Sequence, residues 1–140
     1  MARILAIDYG TKRVGIAVTD PLKIIANGLD TVHSKDIFVF LENYLKKEAV
    51  ECIVVGWPKT LMNTPSSNAH QVKGFIRLLK EKFPTVKIES VDERFTSQMA
   101  LQSMIDGGMK KKDRQNKEMV DMISATLILQ TWLQMEGNMG

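Results

Sequence analysis

Apolar residues recur along this chain with two different periods, and the switches between them mark its elements. Residues 3–7 form an apolar run that closes on the acidic Asp8. Gly10-Thr11-Lys12 then supplies turn chemistry, since glycine tolerates φ > 0, and residues 13–18 return as a second strand. Residues 23–32 hold β-capable side chains around Asn27-Gly28, which predicts a third antiparallel strand, bulged or kinked at the glycine. Ser34 is placed to cap a helix with Asp36 in its first turn, and Ile37, Leu41, Tyr44 and Leu45 carry the helical period to about Lys47.

Residues 51–56 are nearly all apolar, as expected of a parallel strand buried on both faces beside the first strand. The two prolines of residues 57–65 predict a loop, after which Ser66 or Ser67 caps a helix with the stripe Val72, Phe75, Ile76, Leu79 and Phe83, ended by Pro84. Residues 86–91 alternate imperfectly and predict a strand nearer the sheet edge. They lead into Asp92-Glu93-Arg94 and a helix starting at Thr96-Ser97 and running to about Asp106, stopped by Gly107-Gly108. Residues 109–116 are polar and basic and are expected to be mobile. Residues 118–135 predict a last helix with a broad apolar surface that includes Val120, Ile123, Leu127, Ile128 and Trp132.

The order predicts an α/β fold: a mixed five-stranded sheet, antiparallel over its first three strands and parallel in its fourth and fifth, with helices on both faces. Residues 1–136 are expected to form a single domain and 137–140 a frayed tail. Ligands of such sheets sit at the carboxyl ends of the parallel strands, where Asp8 and the Asp92-Glu93 pair are expected to fall.

Composition narrows the chemistry. The chain has 140 residues, 44% hydrophobic and 25% charged, within the range of a soluble globular domain. A net charge of +3 permits a polyanionic partner without demanding one. The single cysteine, Cys52, sits inside a strand-like apolar run and is expected to be buried, with no intrachain disulfide. No apolar run is long enough to span a bilayer and no signal-peptide pattern opens the sequence, so a cytoplasmic, membrane-free location is the expectation.

A carboxylate closing an apolar strand is costly unless it is wet, paired or on a metal. Asp8 therefore suits a metal site or a phosphate-touching loop, or else it caps a turn. Asp121 stands in the last helix with the small residues Ser124 and Ala125 on its own face, which lets that helix approach the strand ends; the alternative is an acidic residue favouring the positive helix terminus. Carboxylates are hard ligands suited to Mg²⁺ or Mn²⁺, and two such ions can serve an in-line phosphoryl displacement. His33 and His70 show no ligand spacing, which disfavours zinc, and no nucleophilic triad is evident.

Four ordered stretches carry a family resemblance over nearly the whole chain: Ile7-Asp8-Tyr9-Gly10-Thr11-Lys12-Arg13-Val14-Gly15-Ile16-Ala17, Val55-Gly56-Trp57-Pro58, Val91-Asp92-Glu93-Arg94-Phe95-Thr96-Ser97, and Val120-Asp121-Met122-Ile123-Ser124-Ala125 followed by Ile128-Leu129-Gln130. In these the sequence resembles the YqgF/RuvX family of bacterial pre-16S rRNA nucleases and Holliday junction resolvases. It departs from the family's usual turn after Pro58, where it reads Leu61-Met62-Asn63-Thr64-Pro65.

The resemblance implies a ribonuclease-H-like fold and metal-dependent hydrolysis of nucleic-acid phosphodiesters. Asp8, Glu93 and Asp121 would be the catalytic and metal-holding carboxylates, with Asp92 as the alternative to Glu93 and two Mg²⁺ or Mn²⁺ ions as cofactor. Lys12, Arg13, Arg94, Lys110, Lys111, Lys112 and Arg114 are the candidate nucleic-acid contacts. Arg94 serves equally well as partner of the acidic cluster, and the lysine run equally well as a solvated surface. The expected substrate is precursor ribosomal RNA, with structured DNA as the alternative and a monomer or homodimer as the acting species. Rival readings are a non-catalytic nucleic-acid-binding domain on the same fold, or an ATPase, which the short length disfavours.

Overall fold

The computed structural model describes residues 2–10, 12–23, 25–57, 69–92 and 117–137. Five strands, β1 (Arg3–Tyr9), β2 (Arg13–Thr19), β3 (Ala26–His33), β4 (Val50–Trp57) and β5 (Lys87–Asp92), make one sheet in the order β3-β2-β1-β4-β5. β1 pairs antiparallel with β2 and β2 with β3, while β4 runs parallel to both β1 and β5. Among the described residues three α-helices cover it: α1 (Ile37–Lys47), α2 (Ala69–Lys82) and α3 (Lys117–Gly137).

Strand alternation divides the interior into two layers. Leu5, Ile7, Ile16, Ile53 and Val55 turn to one face and pack with Ile37 and Leu41 of α1 and Val72, Phe75 and Leu79 of α2. Ile4, Ala6, Ala17, Cys52, Val54 and Val91 turn to the other and pack with Ala125, Ile128, Leu129 and Trp132 of α3. Burial on both faces explains why the central strands read as unbroken apolar runs. Leu5 and Ile53 are fully buried, so truncating either to Ala removes on the order of 2–5 kcal/mol. The α3 side carries the smaller strand residues, Ala6, Gly15 and Ala17, and a helix can lie close to it.

The expected bulge in the third strand is present. Asp30 pairs with Ile16 and Gly28 with Ala17, so Leu29 is the extra residue, next to the predicted glycine. β5 lies at the sheet edge, as its imperfect alternation suggested. Cys52 is buried.

Local boundaries differ in several places, among them the start of β3, which lies at Ala26 and not at 23. Ser34 does not cap α1: a 3-10 turn over Ser34–Asp36 precedes the helix, and the His33 ring Nδ1 accepts the Lys35 backbone N–H at 3.0 Å. Ser34 instead donates its own N–H to the Lys12 carbonyl at 3.1 Å, tying α1's start to the β1–β2 turn. The last helix begins one residue earlier and ends two residues later than expected, and so includes Gly137. The predicted cap at Ser66 or Ser67, the helix from Thr96-Ser97 and the basic segment 109–116 lie outside the described residues. No described helix is long and apolar enough to cross a membrane.

Candidate active site

The β1–β2 hairpin sets the position of Asp8. Gly10 donates its N–H to the Arg13 carbonyl at 3.0 Å, and a Cβ on Gly10 would stand 2.6 Å from that oxygen. The glycine is therefore required by close approach; a positive φ plays no part, contrary to the sequence expectation. Tyr9, on the opposite face, stacks on Phe75 of α2 with ring centroids 4.3 Å apart and planes 16° apart, which anchors the end of β1 to the helical layer beneath.

Asp8 follows Ile4 and Ala6 in the alternation of β1 and so belongs to the α3 face. Its register partner on β2 is Gly15. Directly opposed residues of an antiparallel pair share a face, so the vector of the missing Gly15 side chain also points at α3. A Cβ there would lie 2.1 Å from the Asp121 carbonyl oxygen and 3.0 Å from the Asp121 Cβ. The backbone of α3 thus rests on Gly15 at Asp121, so Asp8, as register partner of Gly15, and Asp121 both adjoin the same glycine.

The helix brings Asp121 there by its own period. Ser124, Ala125, Ile128, Leu129 and Trp132 form its buried stripe, and Asp121 extends that stripe by one turn. Asp121 is the fifth residue of α3, beyond the first turn, which removes the reading as a simple helix-terminus charge. Arg13, two residues before Gly15 on the same face, donates its Nε–H to Asp121 Oδ2 at 2.8 Å. With side chains 38% and 20% exposed, this pair is partly screened, and its worth lies more in geometry than in energy.

Of the other candidates, Lys12 is exposed at the hairpin turn. Asp92 closes β5 opposite Trp57 of β4, and β4 separates it from β1; two strand spacings put it about 10 Å from Asp8's strand. Asp8 and Asp92 thus end parallel strands at the same edge. Glu93, Arg94, Lys110, Lys111, Lys112 and Arg114 lie outside the described residues. Among the described residues no three His, Cys, Asp or Glu side chains gather. Sequence reasoning passed over Gly15, whose only signal was a small residue three positions beyond the turn, and did not foresee the pairing of Arg13 with Asp121.

The sequence model of the family described as RuvX: Holliday junction resolvase matches residues 2–135. A relative from Christiangramia forsetii, named "Putative pre-16S rRNA nuclease", is 59% identical over 95% of this chain and 98% of its own. One of the same name from Phocaeicola vulgatus is 56% identical over 96% of each. Among solved structures, the fowlpox virus Holliday junction resolvase superposes with a TM-score of 0.58 at 13% identity, covering 95% of this chain and 98% of that one. The T. thermophilus RuvC bound to a Holliday junction substrate gives 0.57 at 16% identity over 96% of each chain. At such identities these two establish the fold, which is ribonuclease-H-like, with the mixed sheet and flanking helices described above. On the family match and the close relatives together, the chain belongs to the RuvX (YqgF) family.

Proposed function

We propose that this chain is a metal-dependent nuclease that hydrolyses phosphodiester bonds in pre-16S ribosomal RNA, acting in the cytoplasm through a single domain over residues 1–136. The observation that supports the reading is that Gly15, the register partner of Asp8 near the carboxyl end of β1, is also where the Asp121 backbone rests on the sheet. Two partly exposed carboxylates are a donor set for a hard divalent cation, Mg²⁺ or Mn²⁺. Glu93 is the third carboxylate in this proposal. Asp92 is the alternative; the place of Val91 on the α3 face of β5, two positions earlier in the sequence, supports the choice of Glu93. Bound there, a pair of ions supplies an activated water and charge neutralisation for the leaving oxygen.

The chain's own residues do the rest. Asp121 has one oxygen fixed by Arg13, while Tyr9 and the Gly10 turn hold the strand end that carries Asp8. Lys12, exposed on the same turn, meets the nucleic-acid backbone, as do Arg94, Lys110, Lys111, Lys112 and Arg114. A second reading, cleavage of four-way DNA junctions, is favoured by the family description and by the likeness to a junction-bound resolvase.

Cleavage assays with purified protein, Mg²⁺ or Mn²⁺, and either a pre-16S RNA fragment or a four-way DNA junction decide between them. The RNA should be cut, and Asp8→Asn and Asp121→Asn should each abolish cutting. Asp121→Asn also weakens the charge-assisted bond from Arg13 and costs about 1 kcal/mol of stability. Binding of both nucleic acids without cleavage of either would leave a binding domain in place of an enzyme.

A further inference from the structure

Arg13 uses only Nε on Asp121; among the described residues its terminal nitrogens Nη1 and Nη2 take no partner. Its side chain is 38% exposed and that of Asp121 20%, so the ion pair is partly open to solvent. A guanidinium presents five N–H donors in a rigid fork, and the edge carrying the terminal nitrogens matches a phosphate. We propose that Arg13 is a positioning residue with two separable duties: Nε orients Asp121 for its metal ion, and the terminal nitrogens bind a backbone phosphate of the nucleic-acid substrate. The proposal rests on the nuclease reading and adds a link within it, since one side chain then sets the distance between a metal-holding carboxylate and the substrate backbone.

The two duties can be separated by substitution, because the Gln amide nitrogen stands at the same number of bonds from Cα as Arg Nε. Arg13→Gln keeps a donor for Asp121 Oδ2 and loses the phosphate-binding head; Arg13→Met has similar length and loses both. Both variants remove the same charge, so their comparison isolates the Nε hydrogen bond from any electrostatic effect on the cation.

Two measurements follow. In the first, Mn²⁺ is titrated calorimetrically into protein without nucleic acid: Arg13→Met should bind it about tenfold more weakly than Arg13→Gln, the usual scale for losing a hydrogen bond to a metal-holding carboxylate. In the second, affinity for a short RNA is measured by fluorescence anisotropy against salt without divalent ions. Both variants should lower the slope of log affinity on log salt by about 0.7–0.9, the release accompanying one phosphate contact. In turnover, Arg13→Gln should raise KM with little change in kcat, and Arg13→Met should lower kcat as well.

Equal Mn²⁺ affinity of the two variants overturns the orienting duty, and an unchanged salt slope overturns the phosphate contact. If wild-type protein binds Mn²⁺ and cleaves RNA while both results go this way, only the role of Arg13 falls. If wild-type protein binds no Mn²⁺ and cuts nothing, the nuclease reading fails and this proposal with it.

Discussion

Gly15 and Gly28 both face α3 across the sheet, yet a methyl group would meet very different surroundings at each. At Gly15 it would stand 2.1 Å from the Asp121 carbonyl oxygen, a backbone atom that moves only if α3 moves. Gly15→Ala should therefore cost about 3 kcal/mol or more and displace Asp121 from Asp8. At Gly28 the nearest atom is the Met122 Cβ at 3.4 Å, an ordinary contact, and Gly28→Ala should be neutral or stabilising by up to about 1 kcal/mol. Denaturant titration of both variants, with cleavage measured in parallel, checks the contrast; an unaffected Gly15→Ala protein would mean that α3 does not rest there. At this scale the sequence announced Asp8 and Asp121, because acidic residues stand out among apolar neighbours. It could not announce Arg13 as the partner of Asp121, since the two lie 108 positions apart and no local spacing relates them. The His33 cap was illegible for another reason: ring nitrogens rarely cap helices, and Ser34 beside it is the commoner choice.

Among elements, the central strands and the last helix were the most legible, because each buries a surface whose period is written in its apolar residues. β1 and β4 lie between two helical layers and show continuous runs, while the α3 stripe from Ser124 to Trp132 repeats at three and four. α1 is a weaker case, with only Ile37 and Leu41 fully inside. Toward its end, burial raises the Tyr44 phenol above its ordinary pKa; Arg3 opposes the shift and Glu48 adds to it. A raised folded-state pKa means that the native protein holds this proton more tightly than the unfolded chain does. Its contribution is complete below about pH 10 and is lost as pH climbs through the folded value. Melting temperatures measured between pH 9 and 11 should thus fall less steeply for Tyr44→Phe than for the wild type, and parallel curves would discount the effect.

For the molecule as a whole, the order of elements along the chain matters as much as their arrangement. All five strands precede α3 in sequence, yet the sheet face formed by Ile4, Ala6, Ala17, Cys52, Val54 and Val91 is closed by residues of α3. Ile128, Leu129 and Trp132 alone contribute burial worth roughly 1.5–3 kcal/mol each, comparable with the net stability of a domain. A chain ending before residue 117 should therefore keep its strand sequences and fail to stay dispersed, which sedimentation of the translation product would reveal. A soluble, cooperatively melting truncation would show that the sheet stands without α3. Because synthesis runs from the first strand to the last helix, the ribosome delivers Asp8 long before Asp121. Until residues 117–137 have been made and α3 has docked on Gly15, Asp8 stands without Asp121, so a partly made chain lacks the proposed carboxylate pair.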